Sequence, residues 1–312
     1  MKGLKLKYIF LFVITFFSIL TINAQDTKLH KEIINKLNEV HKPTFKTRDS
    51  LGSIYKIIYE KISYTTDTLI KNNLLNKIEE LDVLTDINMA KELDNEFGFI
   101  RQFPSNQISL DVLHYKVTKR EATDKYEAFN TLYSSLSFDL QNSPKGLQLK
   151  EQLVNFKNSN IGSEAPDFVV KDIRNTTLSL SSFNKNKYVL LTFGNTTSKS
   201  CIDENAYLKE VFQRYNQSGL EVINIAIDDN MEVLRKSIIS QKIDVFKIIP
   251  LISNDQPLLE NYFVYSIPQK ILIDKNGVII GRWRGSNNST KKEMNSVLVN
   301  LFKDVLISKP LD

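Results

Sequence analysis

The chain is poor in the residues that usually carry chemistry: it has one cysteine, Cys201, and three histidines among 312 residues. A lone cysteine excludes any intramolecular disulfide, so the core must hold the fold without staples. His30, His41 and His114 stand at unrelated spacings, and neither a metal site nor an organic cofactor is expected. No G-x-G-x-x-G and no phosphate loop occurs. The charges form no block of five or more of one sign, and the aromatics are not interleaved with arginines, which leaves nucleic-acid binding unsupported. Internal repeats and low-complexity tracts are lacking too.

What is present is enough for ordinary buried cores, since 42% of the residues are apolar. The N-terminus carries Lys2, Lys5 and Lys7, then an apolar run from Tyr8 to Ile22, then Ala24 in a small-residue context. This is the layout of a secretory signal, and the run is short of the ~20 residues that span a bilayer. Residues 1–24 read as a signal peptide, an uncleaved anchor being the alternative. An exported protein of the periplasm or cell envelope follows, with no stable membrane span after signal removal. The signal accounts for three lysines and no acids, so the formal charge falls from +5 to +2 without it and the basic balance says little about partners.

From residue 25 to 157 apolar residues recur at helical spacing. Leu74, Ile78 and Leu81 form one stripe, and Phe129, Leu132, Tyr133 and Leu136 another. Breaks are expected at 103–105 and 142–146, where Ser143 and Pro144 suit the N-cap and first position of a helix. After a linker at 158–167 the texture changes to short β-branched runs at 188–194, 221–228, 246–252, 269–274 and 277–283. Helical patterns lie between them at 198–217 and follow at 289–306. Residues 158–312 therefore read as an α/β domain with a mixed sheet. The sequence Asp274-Lys275-Asn276-Gly277 predicts an antiparallel hairpin closed by a type I′ turn, with positive φ at Asn276 and Gly277. Trp283 is expected to point inward, with Arg282 and Arg284 solvated.

Cys201 falls in the first turn of a helix leaving a buried strand, where the helix dipole favours a thiolate. Free cysteines are also among the most buried residues, so an inert packing role stands beside a reactive one. Pro268 begins a strand, a position compatible with a cis Ile267–Pro268 bond.

Three segments in order, "GSEAPDF", "LSLSSFNKNKYVLLTF" and "YSIPQKILIDKNGVI", resemble the TlpA/ResA-like thioredoxin-fold proteins of the bacterial cell envelope, within the thioredoxin/peroxiredoxin superfamily. The resemblance implies a thioredoxin-like domain preceded by a mostly helical region. The family signature is Phe, then Trp-Ala-x-Trp-Cys-x-x-Cys, then Glu three residues on. Aligned from Phe193, both tryptophans are absent and Ser198 replaces the attacking cysteine, while Cys201, Glu204 and Pro268 are retained. Dithiol exchange needs an attacking thiolate and a resolving thiol, so a Ser-x-x-Cys pair excludes it.

Three readings stay open. The first is monothiol redox chemistry at Cys201, with Ser198 steadying the sulfur and Glu204 carrying protons. The second is a non-catalytic module binding peptide or protein clients in the groove at Ile267 and Pro268. The third is peroxide reduction, since Thr/Ser-x-x-Cys followed by Glu also resembles peroxiredoxins. That family's proline before the motif is Gly194 here, and the position of its activating arginine is matched by Pro268.

Overall fold

The computed structural model describes residues 27–119, 125–228, 230–251 and 257–307. The predicted signal peptide and His30's side chain lie outside the described residues. The N-terminal half is helical as expected: α1 (Thr27–Tyr64), α2 (Thr68–Gln102), α3 (Gln107–Lys119), α4 (Tyr126–Ser135), α5 (Phe138–Gln141) and α6 (Pro144–Asn158). Helices α1 and α2 form a long antiparallel hairpin. Asp67 caps α2 by accepting from the N–H groups of Leu69 and Ile70, and Phe103 ends it. Ser143 caps α6 at the Gly146 N–H with Pro144 in the first turn, as the sequence predicts.

The hairpin seam follows a heptad. Leu51, Tyr55 and Ile58 of α1 meet Ile78, Leu81 and Thr85 of α2, with the Tyr55 hydroxyl donating to Asp82 at 2.6 Å. Nearer the base the seam turns ionic. Lys116 of α3 lies 3.2 Å from Glu92 and 2.6 Å from Glu96, and His41 of α1 lies 2.7 Å from Glu96, all four buried. Taking such charges out of water is tolerable only because each faces an opposite charge or a hydrogen-bond partner.

The C-terminal half is a thioredoxin-like α/β domain. A small ribbon, β1 (Val169–Lys171) with β2 (Thr177–Ser179), leads into a five-stranded sheet of order β5-β4-β3-β6-β7. Its strands are β3 (Tyr188–Gly194), β4 (Leu220–Ile227), β5 (Lys247–Leu251), β6 (Gln269–Ile273) and β7 (Ile279–Arg284). β3, β4 and β5 run parallel, β6 runs antiparallel to β3, and β7 runs antiparallel to β6. Helix α7 (Lys199–Tyr215), α8 (Met231–Gln241), the short α9 (Pro257–Asn261) and α10 (Asn288–Ile307) complete it. The sheet has a core on each side, one built on Leu190, Leu208, Val222 and Leu298, the other on Phe193, Ile223, Ile271 and Tyr262.

Two expectations need correction. The β6–β7 turn is not type I′, because only Gly277 takes a positive φ, 83°. Asp274 accepts from the N–H groups of Asn276 and Val278, both at 2.8 Å, and this side-chain bridge replaces the second left-handed residue. Arg282 is not solvated either. Trp283 does point inward, but the opposite face of β7 is covered by the chain leaving α6, and Arg282 is buried there. It donates to the carbonyls of Ser159, the C-cap of α6, at 2.6 Å and of Tyr262 at 2.9 Å. A cation at a helix C-terminus offsets the negative end of the dipole.

The linker runs along β7, with Gly162 N–H donating to Ile279 at 2.8 Å and Ala165 N–H to Gly277 at 2.8 Å. The halves also share core. Phe263, at a φ of 51° that bulky residues avoid, stacks on Phe156 of α6 at 4.6 Å between ring centres and belongs to the helical core.

Candidate functional site

Strand β3 ends at Gly194, and four residues later Ser198 begins α7. Ser198 N–H donates to the Asn195 side chain at 2.7 Å, a turn that aims the helix start at the strand edge. The turn is anchored from below. Thr196 donates through its N–H and hydroxyl to Asp228 at 3.1 and 2.8 Å, and Gln241 of α8 donates to the Thr196 carbonyl at 3.1 Å. None of these three anchors stood out in the sequence, because polar residues at strand and helix ends have no local signature.

Cys201 points back under this turn and is 2% exposed. Gly194 makes room for it: a Cβ there would stand 3.3 Å from Sγ. Burial pushes the thiol's pKa up, and the Asn195 N–H and the Ser198 and Ser200 hydroxyls pull against it without prevailing. Ser198 is half-buried, its hydroxyl 2.9 Å from that of Ser200. Lys199 is exposed and paired with Asp203 at 3.1 Å, away from the sulfur.

Glu204, one turn further along α7, is 2% exposed and its carboxylate lies 2.7 Å from Nζ of Lys270, a β6 residue 1% exposed. Lys270 also donates to the Gly285 carbonyl. Burial lowers the lysine's pKa, while Glu204 pushes it back up. Lys270 is a site residue that sequence reasoning missed. The signal was available, since a lysine in a central strand buried on both faces must find an acid.

Pro268 follows a cis peptide bond from Ile267 and is buried beside Cys201, Glu204 and Lys270 around a cavity of about 10 Å³, near the least volume that holds one water. Ser266 and Ile267 are half-buried, and no backbone hydrogen bond of either occurs among the described residues. The structure therefore gathers Ser198, Cys201, Glu204, Ile267 and Pro268 at one end of β3 and β6. It gives them an open backbone edge beside a closed sulfur. Among the described residues no group of three or more His, Cys, Asp or Glu side chains is placed to hold a metal ion, and no helix is long and apolar enough to cross a membrane.

Similarity to known proteins lies in the C-terminal half. The AhpC/TSA family model matches residues 161–282. Thiol-disulfide oxidoreductase ResA of Bacillus thuringiensis is 32% identical over 138 residues, which are 44% of this chain and 76% of that protein. ResA of Bacillus anthracis is 31% identical over 138 residues with the same coverage of 44% and 76%. Among solved structures, the thioredoxin domain of a thiol-disulfide oxidoreductase from Bacteroides vulgatus is 25% identical, covers 44% of this chain and 96% of its own, and superimposes with a TM-score of 0.39.

Proposed function

Because the chain belongs, through its thioredoxin-like domain, to the ResA-like thiol-disulfide oxidoreductases, we propose that it is an exported cell-envelope member that has given up dithiol exchange and kept the family's client-binding groove. The observation that carries this reading is the burial of Cys201, 2% exposed, behind a serine where the attacking cysteine is expected. In dithiol exchange one thiolate attacks a client disulfide, and a second thiol then expels the client sulfur from the mixed disulfide. Ser198 cannot form the first bond at sulfur, and Cys201, the chain's one cysteine, has no partner thiol to break it. An extended peptide can still pair with the backbone at Ile267 beside Pro268, in the manner of an added strand. The domain division at 157/158 and removal of residues 1–24 in the envelope belong to the same proposal.

A second reading, monothiol chemistry at Cys201, is favoured by the Asn195 N–H and two serine hydroxyls that pull the thiol's pKa down. It requires the α7 start to open, since burial outweighs them. Peroxide reduction requires the same exposure.

Iodoacetamide labelling against pH separates these readings. The binding reading expects Cys201 to stay unlabelled in the folded protein and to react once denatured, and Cys201→Ala to leave client binding unchanged. Fast labelling with a midpoint clearly below about 8.5, the ordinary thiol value, overturns it in favour of a working thiolate.

A further inference from the structure

The α1–α2 hairpin carries an apolar flank that the site does not use. On each helix the side chains immediately preceding a seam position project to one flank, and antiparallel pairing brings the two flanks to the same side. Ile54 and Ile57 of α1 and Leu84 and Ile87 of α2 occupy such positions, with Val83 at their margin, and all five are exposed. The contact of Tyr55 with Asp82 and Thr85 sets these residues at one level. Nearer the tip, Leu69 and Ile70 of α2 continue the face, at 76% and 51% exposure. The opposite flank bears Glu79, which Lys292 of α10 reaches at 2.8 Å, so the apolar face turns away from the thioredoxin-like domain.

Seven large side chains, 43% to 76% exposed, amount to roughly 700 Å² in two groups, close to the ~800 Å² one partner contributes to a standard interface. Between the two apolar groups lies a band of four exposed charges, Glu60 and Lys61 on α1 and Lys77 and Glu80 on α2, net zero. Two carboxylates in the middle of the face do not suit a lipid surface. They do suit a copy of the same face: a two-fold axis crossing the hairpin at the level of the band sets Lys61 opposite Glu60 and Lys77 opposite Glu80. The same axis lays the tip group of one copy on the base group of the other.

We propose that this face pairs with its counterpart on a second copy of the chain, two hairpins forming an antiparallel four-helix bundle that leaves both cis-proline grooves free. Sedimentation equilibrium of the purified protein tests it. The expected result is a dimer at micromolar concentration, with its dissociation constant raised at least ~100-fold by Leu84→Glu plus Ile87→Glu while the melting transition persists, these residues being exposed. Lys77→Glu should weaken the dimer, and adding Glu80→Lys should restore it. Lys61→Cys should form a disulfide between copies on mild oxidation, and Lys56→Cys, on the other flank, should not. A wild-type monomer at ~100 μM, a dimer indifferent to the double substitution, or a monomer that pellets with anionic vesicles through this face overturns the proposal.

Discussion

Cys201 holds its proton more tightly folded than unfolded, because burial raises its pKa. An unfolded cysteine ionises near 8.5, so above that pH the folded protein binds more protons and stability falls as pH rises. The stabilisation is fully present below the unfolded value and is lost on the way up to the folded one. Chemical denaturation of wild type and Cys201→Ala, compared from pH 7 to 10, should show the difference shrinking by up to ~1.4 kcal/mol per unit above about pH 8.5; a constant difference would mean an exposed thiol. Glu204 and Lys270 form the other residue-scale pair. Glu204→Gln leaves a buried ammonium without its counter-ion and should cost about 3–5 kcal/mol in denaturant melts, with much of the loss recovered in Glu204→Leu plus Lys270→Met. If the single substitution is tolerated, water reaches the pair. The placements of Cys201 at a helix start and Pro268 at a strand start were legible because such ends have local sequence signs, whereas Ser198 and Glu204 were singled out only through the resemblance to the TlpA/ResA-like proteins. Lys270 and Asp228 were not, since their meaning depends on which side chain a distant element brings against them.

At the scale of elements, the strands were legible where β-branched runs were uninterrupted, and β3 was predicted at its observed bounds, Tyr188–Gly194. The β6–β7 turn was misread because Asp274 supplies by side chain what two left-handed residues otherwise supply. Arg282 was misread because alternation along a strand states which face a residue takes, not what later covers that face. Its position at the end of α6 gives an expected outcome. Arg282→Met removes two charged hydrogen bonds and a favourable dipole contact, and should destabilise the protein by about 3 kcal/mol and raise amide exchange at 159–165. Unchanged exchange there would show that the segment is held by β7 alone.

The whole molecule has two halves of different texture, yet Phe263 of the thioredoxin-like half sits in the helical core against Phe156. Phe156→Ala should therefore cost about 3–5 kcal/mol and lower a single thermal transition shared by far-UV and Trp283 signals. Two separated transitions would show that the halves unfold independently. The ionic end of the hairpin seam has a consequence of another kind. Helices joined by a repeating apolar seam can slide past each other by one heptad, about 10 Å, with little change in hydrophobic contact. Such a slip of α1 along α2 would carry His41 away from the buried carboxylate of Glu96, so this pair acts as a vernier that admits one setting of the two helices.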